Sequence, residues 1–215
     1  MSPERASREP PAPRPRTKAA QSEATVTALT RAARELFSER GYAGVGTEEI
    51  VQRAGVTRGA LYHHFREGKE ELFRAVLVQL TAETAQSVAS AAQSESDPWE
   101  ALGVGADAFL DACANPDVRR IVLVDGPSVL GWDVWRAIDQ EYGIRLIEAA
   151  LQRAMDAGSM VDQPTDALAQ VLLGAVHEAA MIVASADDPV AAREEMGKTV
   201  RRLLDGLRGP LKKGR

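Results

Sequence analysis

The chain has 215 residues, 45% hydrophobic and 27% charged, with a net charge of −5. That length carries one large or two small domains, each able to bury its own core, and the balance is that of an ordinary globular protein. Its single cysteine, Cys113, excludes an intrachain disulfide framework and suits a reducing cytoplasm. No apolar run approaches the roughly 18 residues needed to span a bilayer, and no secretory signal follows the basic N-terminus, so the expected location is cytoplasmic, with no membrane partner.

The charge is unevenly spread. Residues 1–80 carry 13 Lys+Arg against 10 Asp+Glu, whereas residues 81–215 carry 13 against 21. A weakly basic N-terminal part joined to an acidic remainder suits phosphate binding at one end only. Residues 1–21 hold Pro3, Pro10, Pro11, Pro13 and Pro15 together with Arg5, Arg8, Arg14, Arg16 and Lys18. Such a segment buries too little apolar surface to offset its ordering entropy, so a disordered basic arm is expected there.

From Ser22 onward the patterns are helical. Val26, Leu29, Ala33, Leu36 and Phe37 form one apolar stripe that stops at Gly41. Thr47 is placed to cap a second helix with Ile50, Val51 and Ala54 inward, and Gly55 breaks it. Thr57 caps a third, in which Leu61 and Phe65 share a face. A fourth pattern spans 69–92, and Ser94-Glu95-Ser96-Asp97-Pro98 is a turn cluster marking a domain boundary. Further helices are expected at 98–114, 117–125, 127–157, 164–186 and 189–208, which makes an all-α protein of about nine helices. The resulting division is 1–21 arm, 22–68 helix-turn-helix domain, 69–92 connecting helix, and 93–215 regulatory and dimerisation domain.

Two short helices joined across Gly55-Val56 form the layout in which one helix braces on the DNA backbone and the next enters the major groove. The second carries Thr57, Arg58, Ala60, Tyr62, His63 and His64 on positions that its core does not need. An arginine at such a helix start can bond guanine O6 and N7 bidentately, and a small methyl such as that of Ala60 can pack on thymine. Tyr62, His63, Lys69 and Thr47 are suited to phosphate contacts, which set register without reading sequence. Adjacent His63 and His64 point about 100° apart on a helix, with no third ligand in view, so no metal is assigned.

The stretches FSERGY, AGVTRGALYHHF and KEELF within residues 25–76 resemble the TetR family of transcriptional regulators. The resemblance implies a homodimer bound to a palindromic operator through Thr47, Thr57, Arg58, Ala60, Tyr62, His63 and Lys69. It also implies a C-terminal helical domain that encloses a ligand pocket, with repression relieved by that ligand. Three residues, Arg66-Glu67-Gly68, separate Phe65 from Lys69 where two are commoner in the family. DGPSVLGWDVW, followed by Asp139 and Tyr142, resembles one sub-group.

In the C-terminal half, Trp99, Phe109, Trp132, Trp135 and Tyr142 concentrate the aromatic residues, and Trp135, Ile138, Tyr142 and Leu146 share a helical face. That face suits either plain core or an apolar small-molecule cavity with a few polar groups. His177 and Glu178 are the polar handles inside an apolar run. The candidate ligand residues are Phe109, Cys113, Trp132, Trp135, Tyr142, Leu146, His177 and Met181, and the expected ligand is small and largely apolar. Small and aliphatic residues over 164–186 and 189–208 suit a four-helix homodimer contact. No catalytic set, cofactor motif or phosphate-binding loop is found. An all-α enzyme and a DNA-binding repressor without an effector remain the competing readings.

Overall fold

The computed structural model describes residues 17–208. Helix α1 (Lys18–Arg40) starts earlier than Ser22 because the Thr17 hydroxyl accepts from the Ala20 amide at 3.2 Å. The remainder of the expected arm lies outside the described residues. Helices α2 (Thr47–Ala54) and α3 (Arg58–His64) follow, then α4 (Lys69–Gln93) and α5 (Pro98–Cys113). A π-helical segment, π1 (Val118–Asp125), leads into α6 (Gly126–Leu130), α7 (Trp132–Asp156), α8 (Thr165–Ser185) and α9 (Pro189–Asp205). Among the described residues no strand occurs, so the all-α expectation holds.

Three expectations are corrected. The helix expected over 127–157 is two helices, because Gly131 at φ 79° and ψ 154° takes a conformation that other residues rarely adopt. The segment expected as an ordinary helix at 117–125 is wound as π, a form that is rare and frequent at functional sites. Thirdly, α8 is long and apolar enough to cross a membrane by composition alone, with a mean hydropathy of 1.7. Asp166, Gln170, His177 and Glu178 are polar residues within it. Its buried face, which includes Ala169, Leu172, Leu173 and Ala180, is instead core packed on α7 and α9.

One connected cluster of buried side chains extends from Leu29 in α1 to Leu204 in α9. In its N-terminal part Phe37, Tyr42 and Phe73 pack with ring centroids 5.1–5.7 Å apart, which seats α1 on α4. In the C-terminal part α4 and α5 pack side by side, α7 crosses both, and α8 and α9 close the other side. Asp107 on α5 accepts from Arg193 at 3.1 Å and Arg201 at 2.7 Å, holding α9 in place.

The π1 segment sits between α1, α4 and α5. Trp135 of α7 is buried and donates its indole N–H to the Val122 carbonyl at 2.8 Å. Trp135→Phe keeps an aromatic ring, smaller than the indole, and removes the N–H that donates to this buried carbonyl. The expected loss is about 1–3 kcal/mol, measured as a lower denaturant midpoint with unchanged m.

Candidate DNA-reading face and ligand cavity

The turn between α2 and α3 is made by backbone. Gly55 adopts φ 68° and ψ 29°, the left-handed conformation that lets a helix end in so short a turn, and Val56 donates to the Val51 carbonyl at 3.0 Å. Thr57 caps α3 as expected, accepting from the Ala60 amide at 3.1 Å. Leu61 and Phe65 are buried and fix the angle of α3 against the core. Thr57, Arg58, Gly59, Tyr62 and His63 are consequently exposed, and Ala60 and His64 are half-buried. The Arg58 guanidinium lies 5.6 Å from the Tyr62 ring centroid, an i, i+4 cation–π contact on the exposed face.

Thr47 is not the cap of α2. Gly46 occupies that position with extended dihedrals, no side chain caps the helix, and Thr47 is its first residue. Lys69 also has a position that sequence did not suggest. Its ammonium donates to the carbonyls of Tyr42 (3.0 Å) and Val45 (2.9 Å), and it lies 3.9 Å from the Tyr42 ring centroid. Burial lowers its pKa. Lys69 thus ties the loop between α1 and α2 to the start of α4, and two of its three N–H donors are committed there.

In the C-terminal half α4, α5, α7, α8 and π1 surround a cavity of about 90 Å³ with an almost wholly apolar wall. Five of the expected residues line it: Phe109, Cys113, Tyr142, Leu146 and His177. Three do not. Trp132 is exposed, Met181 is exposed on the outer face of α8, and Trp135 is buried behind the wall with its ring centroid 5.8 Å from that of His177. Glu178 points to solvent. Helix periodicity placed all of these near the right elements but could not say which side of each helix meets the void.

Asp139, which entered the sequence reading only through a resemblance and not as a ligand residue, is also on the wall. It lines the cavity and accepts from His177 Nε2 at 2.9 Å, with each side chain only 9% exposed. The available signal was its place four residues after Trp135 and three before Tyr142, a carboxylate on the apolar face of α7. Burial, with the Asp139 charge adding to it, pushes the Cys113 thiol up to about 12, so this cysteine is a packed apolar group rather than a nucleophile.

A set of polar contacts joins the two halves. Asp117, just before π1, accepts from Arg34 Nε and Ser38 Oγ, both at 2.7 Å. Arg34 also donates to Glu83 of α4 at 2.7 Å, and Asp125 at the end of π1 accepts from the Tyr42 amide at 2.7 Å. Burial alone would raise the Asp117 pKa, but the Ser38 hydroxyl and Arg34 guanidinium hold it below its ordinary value. The same π1 segment presents Val118, Val122 and Leu123 to the cavity.

An exposed reading helix on a braced three-helix head, joined to a helical body with an internal cavity, defines a DNA-binding regulator. Residues 29–76 match the family model described as bacterial regulatory proteins of the tetR family, and residues 99–207 match the Tetracyclin repressor-like C-terminal domain. The chain belongs to the TetR family of transcriptional regulators. A crystal structure of a TetR-family regulator from Pectobacterium atrosepticum is 32% identical, with a TM-score of 0.79 over 93% of this chain and all of that one. The Transposon Tn10 TetC protein of Escherichia coli is 28% identical over 150 residues, 70% of this chain and 75% of that protein. The transcriptional activator FasR of Mycolicibacterium smegmatis is 39% identical over 83 residues, which span 39% of this chain and 37% of FasR.

Replacing Lys69 with Met removes the donor to two loop carbonyls. The expected effect is a loss of about 1–3 kcal/mol of stability, read by thermal denaturation without DNA. Unchanged stability with weakened DNA binding would instead make Lys69 a phosphate contact.

Proposed function

We propose that the protein is a homodimeric, sequence-specific repressor that leaves a palindromic operator when a small, largely apolar ligand fills the C-terminal cavity. The observation that carries this reading is the double engagement of π1. One side of it lines the cavity through Val118, Val122 and Leu123, and its ends hold α1 through Asp117 and Asp125. A ligand shifts an equilibrium only by binding two states differently, and a cavity wall that doubles as the mount of the reading head provides that difference. Helix α4, which lines the cavity and accepts from Arg34 through Glu83, moves with it as the lever.

In this reading Arg58 makes the base contact. Thr57 and Ala60 lie at the groove floor, and Thr47, Tyr62 and His63 set register on phosphates. Lys69 contributes mainly by holding the loop before α2. Dimerisation through α8 and α9 is supported by apolar side chains that the subunit leaves uncovered, among them Val171 (66% exposed), Ile182 and Leu203. A two-fold pair would set its reading helices one turn of duplex apart, about 34–36 Å. Location in the cytoplasm follows from a chromosomal target. That FasR is an activator does not bear on direction, since it matches over only 39% of this chain.

Selection from random DNA, followed by affinity measurements across salt, tests the DNA half. A palindromic site and a steep fall of affinity with salt are expected; a flat salt dependence would remove the reading. Within the recovered site, Arg58→Ala should relax one base position by about 1–3 kcal/mol, with overall folding unchanged by circular dichroism.

The coupling has its own test. Asp117→Ala removes the acceptor of Arg34 and Ser38. It should leave operator binding in place and reduce the affinity change that a ligand produces, by several-fold. A full ligand response in Asp117→Ala would show that π1 is not the link.

A further inference from the structure

The cavity wall contains an unmet chemical requirement. Asp139 Oδ2 and His177 Nδ1 are the buried side-chain polar atoms without a hydrogen-bond partner among the described residues. Their other ends are joined, Nε2 to Oδ1 at 2.9 Å, and both side chains are more than nine-tenths buried. The imidazole is further enclosed by Phe109 and Trp135, with ring centroids at 5.2 and 5.8 Å. Buried polar groups are nearly always satisfied, and an unsatisfied one calls for an explanation such as a bound molecule. Both residues line the same void.

The chemistry of the pair restricts what that molecule is. A carboxylate oxygen only accepts. With Nε2–H donating to Asp139, the orphaned His177 Nδ1 accepts or donates according to the proton count of the ring. A group that can both donate and accept meets both atoms. No Lys or Arg lines the cavity, so an anionic ligand would meet a carboxylate with no compensating cation. An ammonium would neutralise the Asp139 charge, but it carries a large desolvation cost and brings three donors to a wall that is almost entirely hydrocarbon. A hydroxyl supplies one donor and no net charge.

Size restricts it further. An engineered apolar cavity of about 150 Å³ holds benzene, so about 90 Å³ admits one ring only as the wall yields and leaves no space for a second ring. A neighbouring hollow of about 230 Å³ shares Val88, Gly105 and Leu146 with the cavity, so the space into which a ring or its substituent can extend lies across those three residues. Phe109 and Tyr142 supply aromatic faces on the wall.

We infer that the cavity is a site for a phenol-type ligand: one uncharged aromatic ring whose hydroxyl donates to Asp139 Oδ2, with His177 Nδ1 as the partner of a second hydroxyl. The inference rests on the reading of this cavity as the effector site and names the class of its effector. Asp139 is the specificity determinant, and His177 positions it.

Calorimetric titration of the full wild-type chain with phenol, a dihydroxybenzene, toluene, benzoate and benzylammonium tests this directly. Phenol and the dihydroxybenzene should bind at least about tenfold more tightly than toluene, the order expected for one hydrogen bond to a charged acceptor. Benzoate and benzylammonium should bind more weakly than toluene. Asp139→Asn should erase most of the phenol advantage and leave toluene affinity unchanged; if that variant does not fold, the ranking on the wild-type chain still decides. Toluene binding as tightly as phenol, tighter binding of either charged ring, or no binding of any of them overturns the assignment. Adding the selected operator separates the two readings. Phenol that binds without displacing DNA removes the effector reading and leaves the ligand class standing. DNA released by rings irrespective of a hydroxyl removes the ligand class alone.

Discussion

A carboxylate, Asp117, shared between Arg34 and Ser38 of α1, ties the two halves of this chain together beside the apolar cluster that runs through both. Its side chain and that of Arg34 are each a little under one-third exposed, and partly solvated ion pairs of this kind contribute on the order of 1 kcal/mol or less. Coupling between two binding sites is typically about 1–3 kcal/mol. The contribution of the Asp117–Arg34 pair is thus at the low end of that range, beside the apolar packing that also joins the halves. Asp125, bonded to the Tyr42 amide, adds a second point of attachment at the other end of π1.

The reading head itself is kept rigid by different means. Phe37, Tyr42 and Phe73 interlock α1 with α4, and Lys69 gathers two loop carbonyls that have no helix partner. Every exposed group on α3 is thus carried by a frame whose own hydrogen bonds are satisfied, which is the condition for precise docking in a groove. In the body, by contrast, the Asp139–His177 pair keeps two polar atoms unsatisfied within an apolar wall. A stable core of this size has no need of that pair, since replacing both partners of a buried hydrogen bond by well-packed apolar groups is often neutral or stabilising. Its presence beside a void sets this part of the core apart from the rest.

The head was legible in sequence because its signals are local. Gly55 at the turn, Thr57 at the cap, and Leu61 and Phe65 four residues apart each act within a single turn of helix, and the structure places all of them as expected. Thr47 was misjudged by one position because Gly46 can adopt the same extended cap conformation without any side chain. Helix boundaries in the body were mostly visible in Pro, Gly and Asp punctuation. The break at Gly131 was not, since a single glycine inside a long apolar pattern is compatible with both a continuous helix and two.

The cavity was legible only in part. Composition and spacing were enough to select an all-α regulator, a DNA-reading helix with Arg58 at its start, and five side chains that line a void, because period, capping and turn chemistry depend on neighbours a few residues apart. They could not place Asp139 against His177, Lys69 under the Tyr42 carbonyl, or Asp117 on Arg34. Those partners come from different elements, separated by 24 and 27 residues for the loop tie and by 83 for the interdomain pair. Their meeting depends on how helices cross and rotate as they pack, and that is decided by the whole core together rather than by any one segment.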